Sequence, residues 1–403
     1  MNLCVEHYVD QVRALSVGTS ALQEKKEAAI TELLAKGFPT RQLEAWKYTR
    51  LDAFLKIRFD IRSNKLSLNP GIAPLPQGVI MLPLQEALIT IPEKVLPYLS
   101  TTHQQGFHAL NTACLQSGFF IYIPEFVRLE EVIRIQHHAT PNVASMIRHV
   151  VVLEKGATAS IFEDYEGATD VSYFTNSITD VTLKQGALLT HYKLQREGDS
   201  AYHVSDVLVH QEANSEFFGH AFQLGGVLGR TDTTVDFHGQ AASCTLNGVY
   251  MPRKHQHLDH HLLVNHLVSH CRSQQYYRGI LFDASRAVFN GAVIVARDAQ
   301  KTEAIQQNKN LLLSPRAEVD TKPQLEIFAD DVICTHGATV GALDAEAIFY
   351  MASRGIPLQT AQQYLIEGFI EDNVARIMDK SIRALLKSVL LTRILQATGL
   401  AVS

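Results

Sequence analysis

Apolar residues fall into three regimes along this chain, and each regime predicts a different architecture. Over the first sixty residues they recur at helical spacing. Leu22 to Lys36 is rich in Ala, Glu, Lys and Leu, and Ile30, Leu33 and Leu34 form an apolar stripe. Gly37 is placed to end that helix, and Pro39 stops its continuation. Thr40 is expected to cap a further helix, with Glu44 in its first turn near the positive end of the dipole. The single tryptophan, Trp46, follows. Residues 62–97 hold six of the thirteen prolines and read as a looped connector with short strands.

From about Ser117 to Ile333 the pattern changes to short runs of Val, Ile, Leu, Phe and Thr separated by turns, with no long amphipathic helix. Turn-like segments recur before these runs. Placing Ala157, Ala187, Ala213, Ala242, Ala284 and Ala317 in register gives steps of 30, 26, 29, 42 and 33 residues. A small residue at a turn, followed by a strand, suits a β-solenoid whose coils each stack on their neighbours. A β-sandwich also shows evenly spaced short strands; the loose repeat favours the solenoid.

After Gly341 the spacing is helical again. Leu343, Ala347, Ile348 and Met351 share one face, and Arg354-Gly355-Ile356-Pro357 is a helix stop. Further helical patterning covers Ala361–Met378 and Ile382–Ala397, with Gly399 as a final stop. The last stretch carries apolar residues on more than one face, which predicts docking onto the core or a partner. The expected division is residues 1–105 (helical, with the connector), 106–336 (β core) and 337–403 (helical).

Composition narrows the function. The chain has 403 residues, 46% hydrophobic and 19% charged, with net charge −5. That suits a globular protein with room for two or three domains. No basic patch points to nucleic acid, and no run of about eighteen apolar residues predicts a membrane span. Met1 to Val12 contains Glu6 and Asp10 and lacks a secretory pattern. Five widely spaced cysteines without a CxxC argue for a reducing, cytoplasmic setting, and against a cluster held by this chain's thiolates alone. Neither a Walker loop nor a GxGxxG is present, so no nucleotide is expected on this chain, and no G-x-S-x-G elbow appears.

Three constellations remain. His255, His257, His260, His261, His266 and His270-Cys271 crowd one segment, but on both strand parities, so no single face collects them. Surface or hydrogen-bonded histidines are the simpler reading. The acid doublets Glu163-Asp164 and Asp330-Asp331 raise a glycan-processing β-helix enzyme as an alternative. Adjacent strand residues point to opposite faces, however, so neither doublet makes a catalytic pair, and both read as solvated turn acids. Cys334 and His336 are two apart, which on a strand puts both on one face, able to address one metal together. Two ligands cannot close a tetrahedral site; the others must come from elsewhere, most simply from a second chain.

The residues around this pair carry a resemblance. Arg316 through Val332, then Cys334-Thr335-His336-Gly337-Ala338-Thr339-Val340-Gly341, then Leu343-Asp344 through Tyr350 and Ser353-Arg354-Gly355-Ile356, closely resemble the SufD branch of the SufB/SufD family. Gly37-Phe38-Pro39-Thr40-Arg41 with Glu44, Trp46-Lys47-Tyr48 and Leu51 resembles the family's N-terminal signature. The resemblance implies a right-handed parallel β-helix between helical domains. It implies a non-catalytic scaffold for iron–sulfur cluster assembly, pairing with SufB through the β-helix and binding the SufC ATPase through C-terminal helices. Arg354, Gly355 and Ile356 fall in that docking element. Carried over, His336 is the interface residue implicated in building a transient cluster shared with SufB, and Cys334 is the accompanying thiol. A homodimeric scaffold, with His336 facing its own symmetry mate in the absence of SufB, is a third reading.

Overall fold

Two long sheets face each other across a shared interior in the computed structural model, which describes residues 3–15, 20–63, 65–72, 74–100 and 106–398. Four short strands come first: β1 (Asp60–Ile61), β2 (Lys65–Asn69), β3 (Ile80–Pro83) and β4 (Phe119–Ile123). The chain then alternates between sheets. Odd strands are β5 (Arg128–Ala139), β7 (Thr158–Gly167), β9 (Leu188–Gln195), β11 (Glu216–Gln223), β13 (Ser243–Tyr250), β15 (Arg272–Leu281), β17 (Thr302–Leu312) and β19 (Val332–Gly341). Even strands are β6 (Val143–Leu153), β8 (Phe174–Leu183), β10 (Tyr202–Gln211), β12 (Leu228–Phe237), β14 (His257–His266), β16 (Arg286–Val295) and β18 (Glu318–Ile327). Each strand pairs in parallel with the strand two before it, apart from the antiparallel β2–β5 and β3–β4 pairs at the start. This is a parallel β-helix of about eight coils, as the turn spacing predicted.

The ladder fixes the repeat. Thr158, Leu188, Glu216, Ser243, Arg272, Glu303 and Ile333 stack one above another. Two residues before each of the first six sits a left-handed or strand-entry corner. Gly156, Gly186, Asn214, Ala241, His270 and Lys301 have φ of +65°, +69°, +57°, +59°, +63° and +61°. The residue that follows each of them (Ala157, Ala187, Ser215, Ala242, Cys271 or Thr302) is buried inside the corner. The alanine register therefore held at Ala157, Ala187 and Ala242 and slipped elsewhere. Ala213 lies two residues early, and Ala317 precedes an even strand at the other corner. The irregular step of 42 is this change of corner. A small residue fits either bend, so alanine alone does not tell them apart.

Helices clothe both outer faces. α1 (Leu3–Ala14), α2 (Ser20–Lys36) and α5 (Gly106–Cys114) cover the entry ends of the even strands, and α3 (Leu84–Thr90) and α4 (Pro92–Val95) cover β4 and β6. Gly37 closes α2 at φ +66°, donating its N–H to Leu33 O at 2.9 Å. Thr40 does not cap a helix. Glu44–Trp46 is a single 3₁₀ turn entered through Leu43, which makes no side-chain cap. The turn is short because it delivers one side chain. Trp46 is buried against Phe107 and under the Arg230 guanidinium, 4.0 Å from its ring centroid. Arg230 in turn bonds Asp232 (2.8 Å), Asp259 (2.9 Å) and Ala45 O (2.6 Å). Trp46→Ala should lower unfolding stability by about 3–5 kcal/mol, through the cavity it leaves and the loss of the cation–π contact. An unchanged urea midpoint would contradict this.

At the other end come α6 (Ala345–Ser353), α7 (Leu358–Ala375) and α8 (Lys380–Thr398). Ile366, Ile370 and Val374 of α7, with Ile382, Leu386, Leu390 and Ile394 of α8, pack on outward residues of the odd sheet such as Phe222, Val249 and Ile280. The multi-faced apolar pattern of α8 is thus spent on this chain's own core. The expected stop at Gly399 lies outside the described residues. No helix among the described residues is long and apolar enough to cross a membrane.

Candidate functional site at the open end of the β-helix

The last coil has no successor. β18 and β19 end their respective sheets, and both are exposed or half-buried along their length. Cys334 pairs with Ala304 and His336 with Gln306, both of which are inward-facing and buried. Cys334 and His336 therefore share the interior face, as alternation along a strand requires. Cys334 is half-buried and packs against the core beside Val332, whereas His336 is exposed because nothing stacks on it. Gln306 donates to Gln275 Oε1 at 2.8 Å, yet its own Oε1 is buried without a hydrogen-bond partner. Burial raises the Cys334 thiol above its ordinary pKa, partly offset by a hydrogen bond with the Ala304 backbone. Metal binding at this sulfur therefore releases a proton.

The flanking strand edges differ. β18 carries Lys322 and Pro323, the residues that blunt an exposed edge. β19, Val332–Gly341, has neither proline nor any Asp, Glu, Lys or Arg, and Ile333 is 68% exposed. Phe328 and Val340 add apolar surface beside it. Asp331 is tied to Lys301 and is a solvated, ion-paired acid, as expected.

Arg354, Gly355 and Ile356 form the exit of α6. Gly355 has φ +83°, and its N–H and that of Ile356 return to Ala352 O (3.0 Å) and Met351 O (3.1 Å). This is the Schellman closure that a left-handed glycine permits. Asp344 caps the same helix, accepting from Glu346 N–H at 2.9 Å and Ala347 N–H at 3.2 Å. α6 buries none of its side chains, and Phe349 and Tyr350 are exposed.

The interior of the first coils holds what the sequence reading missed. Glu163 is not a solvated turn acid: it sits mid-strand, fully buried and facing inward. It accepts from Tyr165 (2.7 Å) and Thr179 (2.9 Å) and bonds His191 (3.0 Å), with Lys193 Nζ at 3.8 Å. Burial alone would raise its pKa, but the His191 and Lys193 nitrogens outweigh that and hold it well below the usual carboxylate range. Asp164 points the opposite way and takes a two-pronged bond from Arg196 at 2.8 Å. Polar residues at inward positions of the strand pattern were the available signal, and only a correct strand register exposes it. The histidine-rich segment divides as parity demands. His260 and His266 are buried, His257 bonds Thr49 (2.9 Å), His261 bonds Asp259 (3.0 Å), and His270 is the left-handed corner residue ahead of buried Cys271.

The profile described as "SUF system FeS cluster assembly, SufBD core domain" matches residues 135–369, and that of the "SufBD protein N-terminal region" matches residues 67–135. The chain belongs to the SufBD family. The iron–sulfur cluster assembly protein SufD of Escherichia coli is 34% identical over 88% of this chain and 89% of its own length. The chloroplastic protein ABCI7 of Arabidopsis thaliana is 28% identical over 94% of this chain and 87% of its own. A SufBD family protein of Synechocystis is 28% identical over 93% and 92%. Membership of the SufBD family places the chain's role in iron–sulfur cluster assembly.

Proposed function

We propose that this chain is a non-catalytic scaffold subunit that pairs with SufB through the open end of its β-helix. His336 and Cys334 then supply one side of a site for a transient cluster, whose remaining ligands come from SufB. The observation that carries this reading is β19: an exposed, uncharged, proline-free edge strand that presents an imidazole and a thiol on its interior face. An edge of this kind is a template for another chain's strand. One thiol and one imidazole are a fitting but incomplete donor set for iron. α6 and the Arg354–Gly355–Ile356 turn, in which no residue is fully buried in this chain, offer the surface for the SufC ATPase. Nucleotide-driven movement of SufC would act on α6 and, through α7 and α8, on the odd sheet that carries β19.

A charge placed on the edge tests the pairing. Ile333→Asp should abolish co-purification with SufB and leave the thermal transition of the isolated chain within a degree or two, because the side chain is already in solvent. Undiminished pairing by the variant would refute the edge as the interface.

A further inference from the structure

A second cluster of metal-binding side chains lies on the outer face of the even sheet, well away from β19. β10 and β12 pair so that His210 stands beside Asp236, both facing outward. His238 follows two residues after Asp236 on the same face, where β12 ends. One donor atom from each of the three lies within 4.8 Å of the others. His210 Nδ1 is 3.7 Å from Asp236 Oδ2, too far for a hydrogen bond, and the two imidazole centroids are 5.6 Å apart at 32°. Neither ring bonds another side chain among the described residues, so each has a nitrogen lone pair open to solvent. Asp236 is oriented from behind: Asn265 Nδ2 donates to its Oδ1 at 2.6 Å, leaving Oδ2 toward the imidazoles.

Two imidazoles and one carboxylate converging from one side, with the other side open to water, suit a divalent first-row transition ion. A hydrogen bond to the far oxygen of the carboxylate is the usual support for such a ligand. A polar cleft of about 140 Å³ runs from this point past Asp232, Asp206 and His108 and gives an approach from solvent. Asp232 is paired with Arg230 and Asp206 with His108 (3.2 Å), so among the described residues Asp236 is the carboxylate of that row with no cation hydrogen-bonded to it.

The interior trio His137, His149 and Glu163 has similar spacing but different chemistry. Both oxygens of Glu163 already accept hydrogen bonds, and His149 Nδ1 accepts the Phe119 N–H at 3.2 Å. That bond puts the proton of neutral His149 on Nε2, the nitrogen facing His137 at 3.4 Å. An ion there would have to displace existing bonds, whereas the outer trio has donors to spare.

We propose that His210, Asp236 and His238 form a binding site for a divalent first-row transition ion, independent of Cys334 and His336. The test uses the full-length untagged chain carrying Cys334→Ser and His336→Ala, titrated anaerobically with Co(II) and, separately, Fe(II). One ion per chain is expected, with Co(II) ligand-field bands of a nitrogen–oxygen site. His210→Ala and His238→Ala should each weaken binding at least tenfold, and Asn265→Ala about tenfold through the carboxylate it orients. All three side chains are at the surface, so far-ultraviolet circular dichroism should stay unchanged. Stoichiometric binding that survives the His210→Ala, His238→Ala double variant overturns the proposal, as does binding lost only when His149 is replaced by Phe, or no binding to the parent chain.

Discussion

The His336→Ala variant should assemble with SufB and SufC as the unaltered chain does, yet hold no cluster after anaerobic reconstitution. The two halves of this expectation have separate physical grounds. His336 is exposed on the terminal strand and packs against nothing, so its truncation leaves stability within about 0.5 kcal/mol. Its imidazole is one of only two strong metal donors on the interior face of β19, and a weakly chelated cluster does not survive the loss of a donor. Cys334→Ser should have the smaller effect on yield and a distinct signature. The thiol, raised by burial, must lose a proton to bind, so loading of the unaltered chain should accelerate more steeply with pH than loading of the serine variant. Visible absorbance and iron content of the reconstituted complex check both. Normal cluster content in the His336→Ala complex would falsify the proposed site.

Mild acid should unfold the chain. Burial lowers His149, His260 and His266 to about 4 and His220 to about 3, against an ordinary value near 6.5. Between those limits the unfolded chain binds protons that the native state refuses, so stability rises with pH and is lost as pH falls from about 6.5 toward 4. Each of the first three histidines contributes about 3 kcal/mol across that window. Together they rival the about 5–15 kcal/mol that holds a domain folded. Glu163 adds its own loss only at lower pH, because its depressed folded value is passed last. A cooperative loss of β-sheet signal centred at roughly pH 5 is expected. His260 offers the cleanest control. Its ring lies between Tyr250 (5.2 Å) and Tyr277 (5.4 Å), and neither nitrogen has a hydrogen-bond partner. His260→Phe should be close to neutral at pH 7.5 and should reduce the slope of stability against pH by about 1.4 kcal/mol per unit between pH 6 and 4.5. Urea denaturation at a series of pH values measures it; stability that does not change from pH 7.5 to 5 would rule out the account.

The polar interior of the first coils is illegible in the local sequence. Two acids in a row look like a turn, which by sequence places Glu163 in solvent. Strand alternation sends one of them outward to Arg196 and the other inward to Lys193 and His191. A buried charge is tolerable only with such partners, and Lys193 and His191 come from β9, one coil later. Likewise His270 and Cys271, which crowd with the other histidines by composition, form a left-handed corner and its buried filler.

The sequence by itself determined the order of helical, solenoidal and helical regions, the family, and the sharing of one face by Cys334 and His336. All of these rest on local periodicity or on contiguous motifs. The tertiary structure decided the rest: which corner each small residue fills, that α7 and α8 spend their apolar faces on the odd sheet, and that β19 is the uncapped edge. It also decided which acids and histidines meet, both inside the first coils and at His210, Asp236 and His238. Such contacts depend on stacking residues about thirty positions apart, and a one-residue slip in any coil sends every side chain of that strand to the opposite face.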